Sequence, residues 1–174
     1  EWQDMDQRVR YLDEEGMACQ VIYPSLGLFW EGEVDDPYLA DALCRAYNTW
    51  TFELCASHKN RLYPAAHISL RDPHLAVREM ERVAKLGCRT IFVAAAPIKG
   101  RSFGHPDFDP VWAVAQGLDL SIGLHLVGHA GEEFFLELLL LEVFDHPLAR
   151  EVERLAGDQH ARAAELDQPD GADG

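Results

Sequence analysis

Residues 61–95, RLYPAAHISLRDPHLAVREMERVAKLGCRTIFVAA, decide how the rest of the chain is read. The stretch opens with an apolar run, Arg61 to Leu70, whose Pro64 marks a strand end. Asp72-Pro73 follows, an N-cap acid with proline in the first helical turn. Leu75, Val77, Met80, Val83, Ala84 and Leu86 then keep helical spacing as far as Gly87, a C-cap glycine. Cys88 to Ala95 is almost continuously apolar, as expected of a strand covered on both faces. Strand, helix, strand over this length means a βαβ unit with parallel strands and a right-handed crossover.

The pattern extends in both directions. Upstream, Val9 and Leu12 mark a short amphipathic helix over about Gln3 to Glu15, closed by Gly16. Met17 to Tyr23 reads as a strand stopped by Pro24, and a long loop runs from Ser25 to Asp36. Asp36-Pro37 opens a helix carried by Leu39, Leu43, Ala46, Tyr47, Trp50 and Leu54 to about His58. Downstream, the loop Pro97 to Pro106 leads to a short helix over Phe108 to Gln116 and a fourth strand, Leu120 to Val127. Glu132 to Phe144 reads as an apolar-acidic helix, with Pro147 breaking it before a last short helix, Leu148 to Gln159. The expected fold class is α/β: four parallel strands with outer helices, about half of a (β/α)8 barrel, which takes about 200–250 residues when complete. Residues 1–160 are expected to form this domain and the Asp/Gly/Pro-rich residues 161–174 a disordered tail.

Composition narrows the function. The net charge of −15 leaves no basic footprint for nucleic acid. No stretch approaches the roughly 20 apolar residues of a membrane span. The chain starts at Glu1 without a signal peptide, so the reading is a cytoplasmic protein, here a fragment. Cys19, Cys44, Cys55 and Cys88 include no CxxC pair and read as buried reduced thiols. No GxGxxG, Walker loop, HExxH or HxH motif occurs.

Site candidates gather at the strand C-termini, where barrels and open α/β sheets build their chemistry. His125 stands there on the fourth strand, either as a metal ligand or acid/base, or as a core histidine satisfied by hydrogen bonds. His129 is either a second ligand, a substrate contact or a bystander. His67 on the second strand is a candidate or a buried filler, and its facing is ambiguous. His105 either faces the mouth or caps its helix. His58, His74, His146 and His160 read as solvent-facing. Phe29, Trp30 and Glu31 line an apolar pocket or cover their own loop. Lys99 and Arg101 hold a carboxylate or merely solvate theirs.

The strings MACQVIYPSLGLFWEG (17–32), DPYLADALCRAYNTWTFELC (36–55), RLYPAAHISLRDP (61–73) and GHPDFDPVWAVAQGLDLSIGLHLVGH (104–129) resemble the metal-dependent amidohydrolases of the aminocarboxymuconate-semialdehyde decarboxylase-like branch. The resemblance implies a distorted (β/α)8 barrel binding one divalent metal, zinc by expectation. The ligands it implies are an HxH pair on the first strand, a histidine on the fifth and an aspartate on the eighth, with a catalytic histidine on the sixth. The four strands here would be the second to fifth, and His125 would be the fifth-strand ligand. Residues 1–7 are too few to hold the first strand. After His129 the likeness fades, and Asp145-His146-Pro147 is not assigned.

The implied activity is metal-dependent decarboxylation or hydrolysis of small aromatic or muconate-like carboxylates, with the metal as Lewis acid. A chain with one ligand is expected to be inactive alone. The alternative is a non-catalytic barrel fragment serving as an interaction or oligomerisation module. Open sheet edges predict self-association into a homo-oligomer. If His125 is a ligand, its ring should enter the barrel mouth near Arg101, Trp30 or the loop after Pro97.

Overall fold

An acid caps the start of each of the first three helices. In the computed structural model, which describes residues 4–24 and 34–125, the Asp4 carboxylate accepts the Gln7 N–H at the start of α1 (Met5–Glu14). Asp36 does the same for Tyr38 at α2 (Pro37–Cys55). Asp72 accepts from both His74 and Leu75 at α3 (Pro73–Lys85). These bonds satisfy amides that the first helical turn leaves unpaired. Gly16 and Gly87, at φ +66° and +94°, take the left-handed conformation that ends α1 and α3. A single 3-10 turn, Pro106–Phe108, leads into α4 (Asp109–Gly117).

The four strands are β1 (Gln20–Ile22), β2 (Leu62–His67), β3 (Thr90–Ala94) and β4 (Ser121–His125). They pair in sequence order, all parallel, as a curled open half-barrel with helices outside. The expected α/β half-barrel is therefore what the chain forms. β1 is shorter than its apolar run because the Arg61 side chain takes the carbonyls of Met17 and Ala18, which leaves them out of a ladder.

Register assigns the faces, since residues paired across parallel strands share one side of the sheet. Ala66 aligns with Ile91 and Ile91 with Ile122, and Val93 aligns with Leu124. Ala66, Ile68, Ile91 and Val93 meet Met80, Val83, Phe108, Val111 and Ala115 in the main core, so this side faces the helices. Leu12 of α1, Cys55 of α2 and Leu62 pack in a second cluster with Ile22. The other side is concave. His67, Phe92 and Gly123 align across it, as do Ala65, Thr90 and Ser121, while Ala94 pairs with His125.

Several expectations lie outside the described residues: Phe29, Trp30 and Glu31, His129, His146, His160, the segment after β4 and the tail. Two others are corrected. Cys19 is exposed, whereas Cys44, Cys55 and Cys88 are buried free thiols. His58 is not simply solvated, because its Nε2 lies 2.6 Å from the Asp6 carboxylate and ties α2's end to α1. No helix among the described residues is long and apolar enough to cross a membrane.

Candidate functional site

The concave face collects its chemistry at the strand C-termini. His125 ends β4, and the Ala95 N–H donates to its carbonyl at 2.8 Å, fixing the backbone there. Its ring is 6.4 Å from the Tyr23 ring, centroid to centroid. Tyr23, just after β1, stands edge-on to Phe92 at 6.0 Å. Phe92 in turn stacks on His67 at 4.3 Å with a 25° tilt. Two histidines and two aromatic rings thus form one row across the four strands, with the small residues Ala65, Ala94 and Gly123 on the same side. Phe92 and His67 are fully buried, whereas Tyr23 is exposed and His125 half-buried, so the open end of the row lies at Tyr23 and His125.

His67, whose facing the sequence left ambiguous, lies on this inner side and is fully buried. Its backbone is held by a residue that sequence reading noticed only as part of a helix motif. The Asn48 side chain, on α2, accepts the His67 N–H at 2.8 Å and donates to the His67 carbonyl at 2.9 Å. It also donates to Glu79 at 2.7 Å. Glu79 is buried and is held by two hydrogen bonds from Arg82, at 2.7 and 2.8 Å. Asn48 was invisible in sequence because a polar residue on a helix facing its sheet has no periodic signature beyond that of its apolar neighbours.

The cationic candidates fare differently. Arg101 pairs with Asp107 at 2.7 Å and lies over the Phe108 ring at 5.1 Å, so it braces its own loop. Its hydrogen bond holds the Asp107 carboxyl below the usual carboxylate range. Lys99, exposed at φ +50°, is the first central residue of the tight turn Ile98–Arg101, with Gly100 at +76° as the second. Two positive φ values in a two-residue turn are the type I′ pattern. His105 caps the 3-10 turn through Nδ1, which accepts the Asp107 N–H at 3.3 Å. Of the two readings left open for it, capping is the one observed. Arg71, buried beyond the end of β2, pairs with Asp35 at 3.0 Å and joins the loops that precede α2 and α3.

Among the described residues, no three of His, Cys, Asp or Glu gather closely enough to hold a metal ion. His125 has Tyr23 and the strand backbone near it in that set, and no acidic residue stands on the inner side of the four strands. These residues alone do not make a metal centre.

Comparison with known proteins places this geometry. The family described as amidohydrolase matches residues 16–171. The γ-resorcylate decarboxylase of Polaromonas sp. (strain JS666 / ATCC BAA-500) is 30% identical over 126 residues, covering 69% of this chain and 38% of that protein. A dihydroxybenzoic acid decarboxylase from Polaromonas sp. JS666, solved with manganese and the inhibitor 2-nitroresorcinol, superimposes with a TM-score of 0.60. It is 23% identical over 86% of this chain and 47% of its own. A 5-carboxyvanillate decarboxylase from Novosphingobium aromaticivorans DSM 12444, also holding manganese, gives 0.61 at 20% identity, over 82% of this chain and 40% of its own. The chain thus spans less than half the length of these relatives.

Manganese in both solved relatives, together with the absence of a ligand cluster among the described residues, corrects the expectation of zinc. Zinc was inferred from the resemblance alone. No residue of the chain selects it, since imidazole serves several divalent metals. By the family match across most of its length, the chain belongs to the amidohydrolase family.

Proposed function

We propose that the concave face binds a small aromatic carboxylate, and that the activity this face serves is its decarboxylation. The observation that carries this reading is the row Tyr23, Phe92, His67 and His125 at the strand C-termini of an amidohydrolase half-barrel. The curated relative's name, a decarboxylase of a dihydroxylated benzoate, agrees with it. In decarboxylation the bond between ring carbon and carboxylate breaks, carbon dioxide leaves with the carboxylate oxygens, and the electron pair left on the ring carbon takes up a proton. What the described residues supply is position. Tyr23 stands against the ring, and the buried Phe92 and His67 fill the floor behind it. We assign His125 as one ligand of the divalent metal such a reaction uses, within a set whose other members are not among the described residues.

A second reading, a non-catalytic barrel module, is favoured by one observation: no three potential ligands converge among the described residues. The two part in a single assay. The 174-residue chain is given 2,6-dihydroxybenzoate and manganese, with His125→Ala in parallel, and both carbon dioxide release and binding are followed. Because the sequence offers one ligand by resemblance, the expected result is saturable binding with little or no release. Metal-dependent release abolished by the substitution would show that the ligand set is complete in the chain or its assembly. Neither binding nor release would favour the module.

A further inference from the structure

The Tyr23 hydroxyl is a polar group on the aromatic row with a role that packing alone does not explain. It follows β1 directly, so its side chain starts at the C-terminal end of the sheet, and its ring crosses toward β4. Its hydroxyl comes to rest over Gly123. A Cβ placed on Gly123 would lie 3.2 Å from the Tyr23 hydroxyl oxygen and 3.6 Å from the Phe92 Cβ. The first distance is tighter than ordinary van der Waals contact, so the missing side chain of Gly123 is what lets the hydroxyl sit there. With 42% of its surface exposed, Tyr23 is packed on one side and open on the other.

The polarity of the position narrows what it recognises. A phenol is a neutral donor and acceptor, and no Lys or Arg stands among the strand residues of this side. A carboxylate calls for a cation, a metal or several N–H donors. A neutral hydroxyl carried on a flat ring needs one matched O–H partner, and Tyr23 is the exposed hydroxyl of the aromatic row.

We propose that Tyr23, seated over Gly123, is a specificity-determining residue that hydrogen-bonds a ring hydroxyl of the aromatic substrate. The inference rests on the proposed aromatic-carboxylate site and adds to it the selection of hydroxylated rings over bare ones. A site built to pair with a hydroxyl discriminates against the analogue lacking it, because its own polar group is then left without a partner.

The test is calorimetric titration of the full chain with benzoate and with 2,6-dihydroxybenzoate, repeated on Tyr23→Phe and Gly123→Ala. Circular dichroism confirms that each variant is folded. Wild type should prefer the dihydroxylated ligand by about tenfold, the worth of one net hydrogen bond. Tyr23→Phe, which keeps the ring, should erase that preference by weakening the dihydroxylated ligand more than benzoate. Gly123→Ala should reduce it by displacing the hydroxyl. An undiminished preference in Tyr23→Phe would overturn the inference and leave the aromatic-carboxylate site standing, as would an equal loss for both ligands. A wild-type chain that binds neither ligand would overturn the proposed site and this inference with it.

Discussion

Asn48 does for His67 what a neighbouring strand does for most residues of a sheet. The β1–β2 ladder ends at Ile22 and Pro64, so the β1 side of His67 lies beyond it, and one side-chain amide takes both its N–H and its carbonyl. The amide is itself oriented by the buried Glu79, which Arg82 holds. Replacing Asn48 by Ala leaves the His67 N–H and carbonyl short of this partner in a dry environment, while the Glu79 oxygen keeps its bond from Arg82. The expected cost is on the order of 2–4 kcal/mol of stability, read by denaturant unfolding. A loss below about 0.5 kcal/mol would mean that water or another group substitutes for the amide. This part of the site was not legible in sequence. His125 could be placed because it ends a continuous apolar strand, whereas the facing of His67 needed the register with Phe92 and Gly123.

At the scale of elements, the chain announces its helices more clearly than its strands. Asp36-Pro37 and Asp72-Pro73 mark helix starts because capping is local chemistry, and the structure places both caps where the sequence does. Gly16 and Gly87 likewise mark ends, for the same local reason. Strand limits are set by partners elsewhere in the chain. Arg61 takes two carbonyls at the start of the first apolar run, and nothing near residue 18 foretells that. The loop role of Arg101 was hidden in the same way, since its partner Asp107 is chosen by the fold of the turn. The capping claim predicts that Asp72→Ala destabilises the protein by about 1 kcal/mol, with Asp72→Asn or Asp72→Ser recovering most of it. Thermal unfolding of the three variants measures this, and an unchanged midpoint in Asp72→Ala would contradict it.

For the molecule as a whole, a half-barrel leaves apolar surface on the strand that would continue the sheet. Leu124 is 62% exposed and Ile122 also stands out on the helix side of β4, whose partner among the described strands is β3 alone. Such a strand invites pairing with another chain. We therefore expect the mass of the purified chain, followed by light scattering, to rise with concentration. Leu124→Lys should suppress that rise, since a buried lysine in the contact would need its own partner. A constant monomeric mass over the same range would contradict the expectation.

The central claim is that the concave face at the strand C-termini is where an aromatic carboxylate binds. Two-dimensional NMR of the labelled 174-residue chain during titration with 2,6-dihydroxybenzoate tests it most directly, because it reports where the ligand lies whether or not the chain turns it over. The account predicts saturable shifts concentrated at Tyr23, His67, Phe92, Gly123 and His125, with α3 and α4 unperturbed. Shifts confined to the helix side, or spread evenly without saturation, would contradict it.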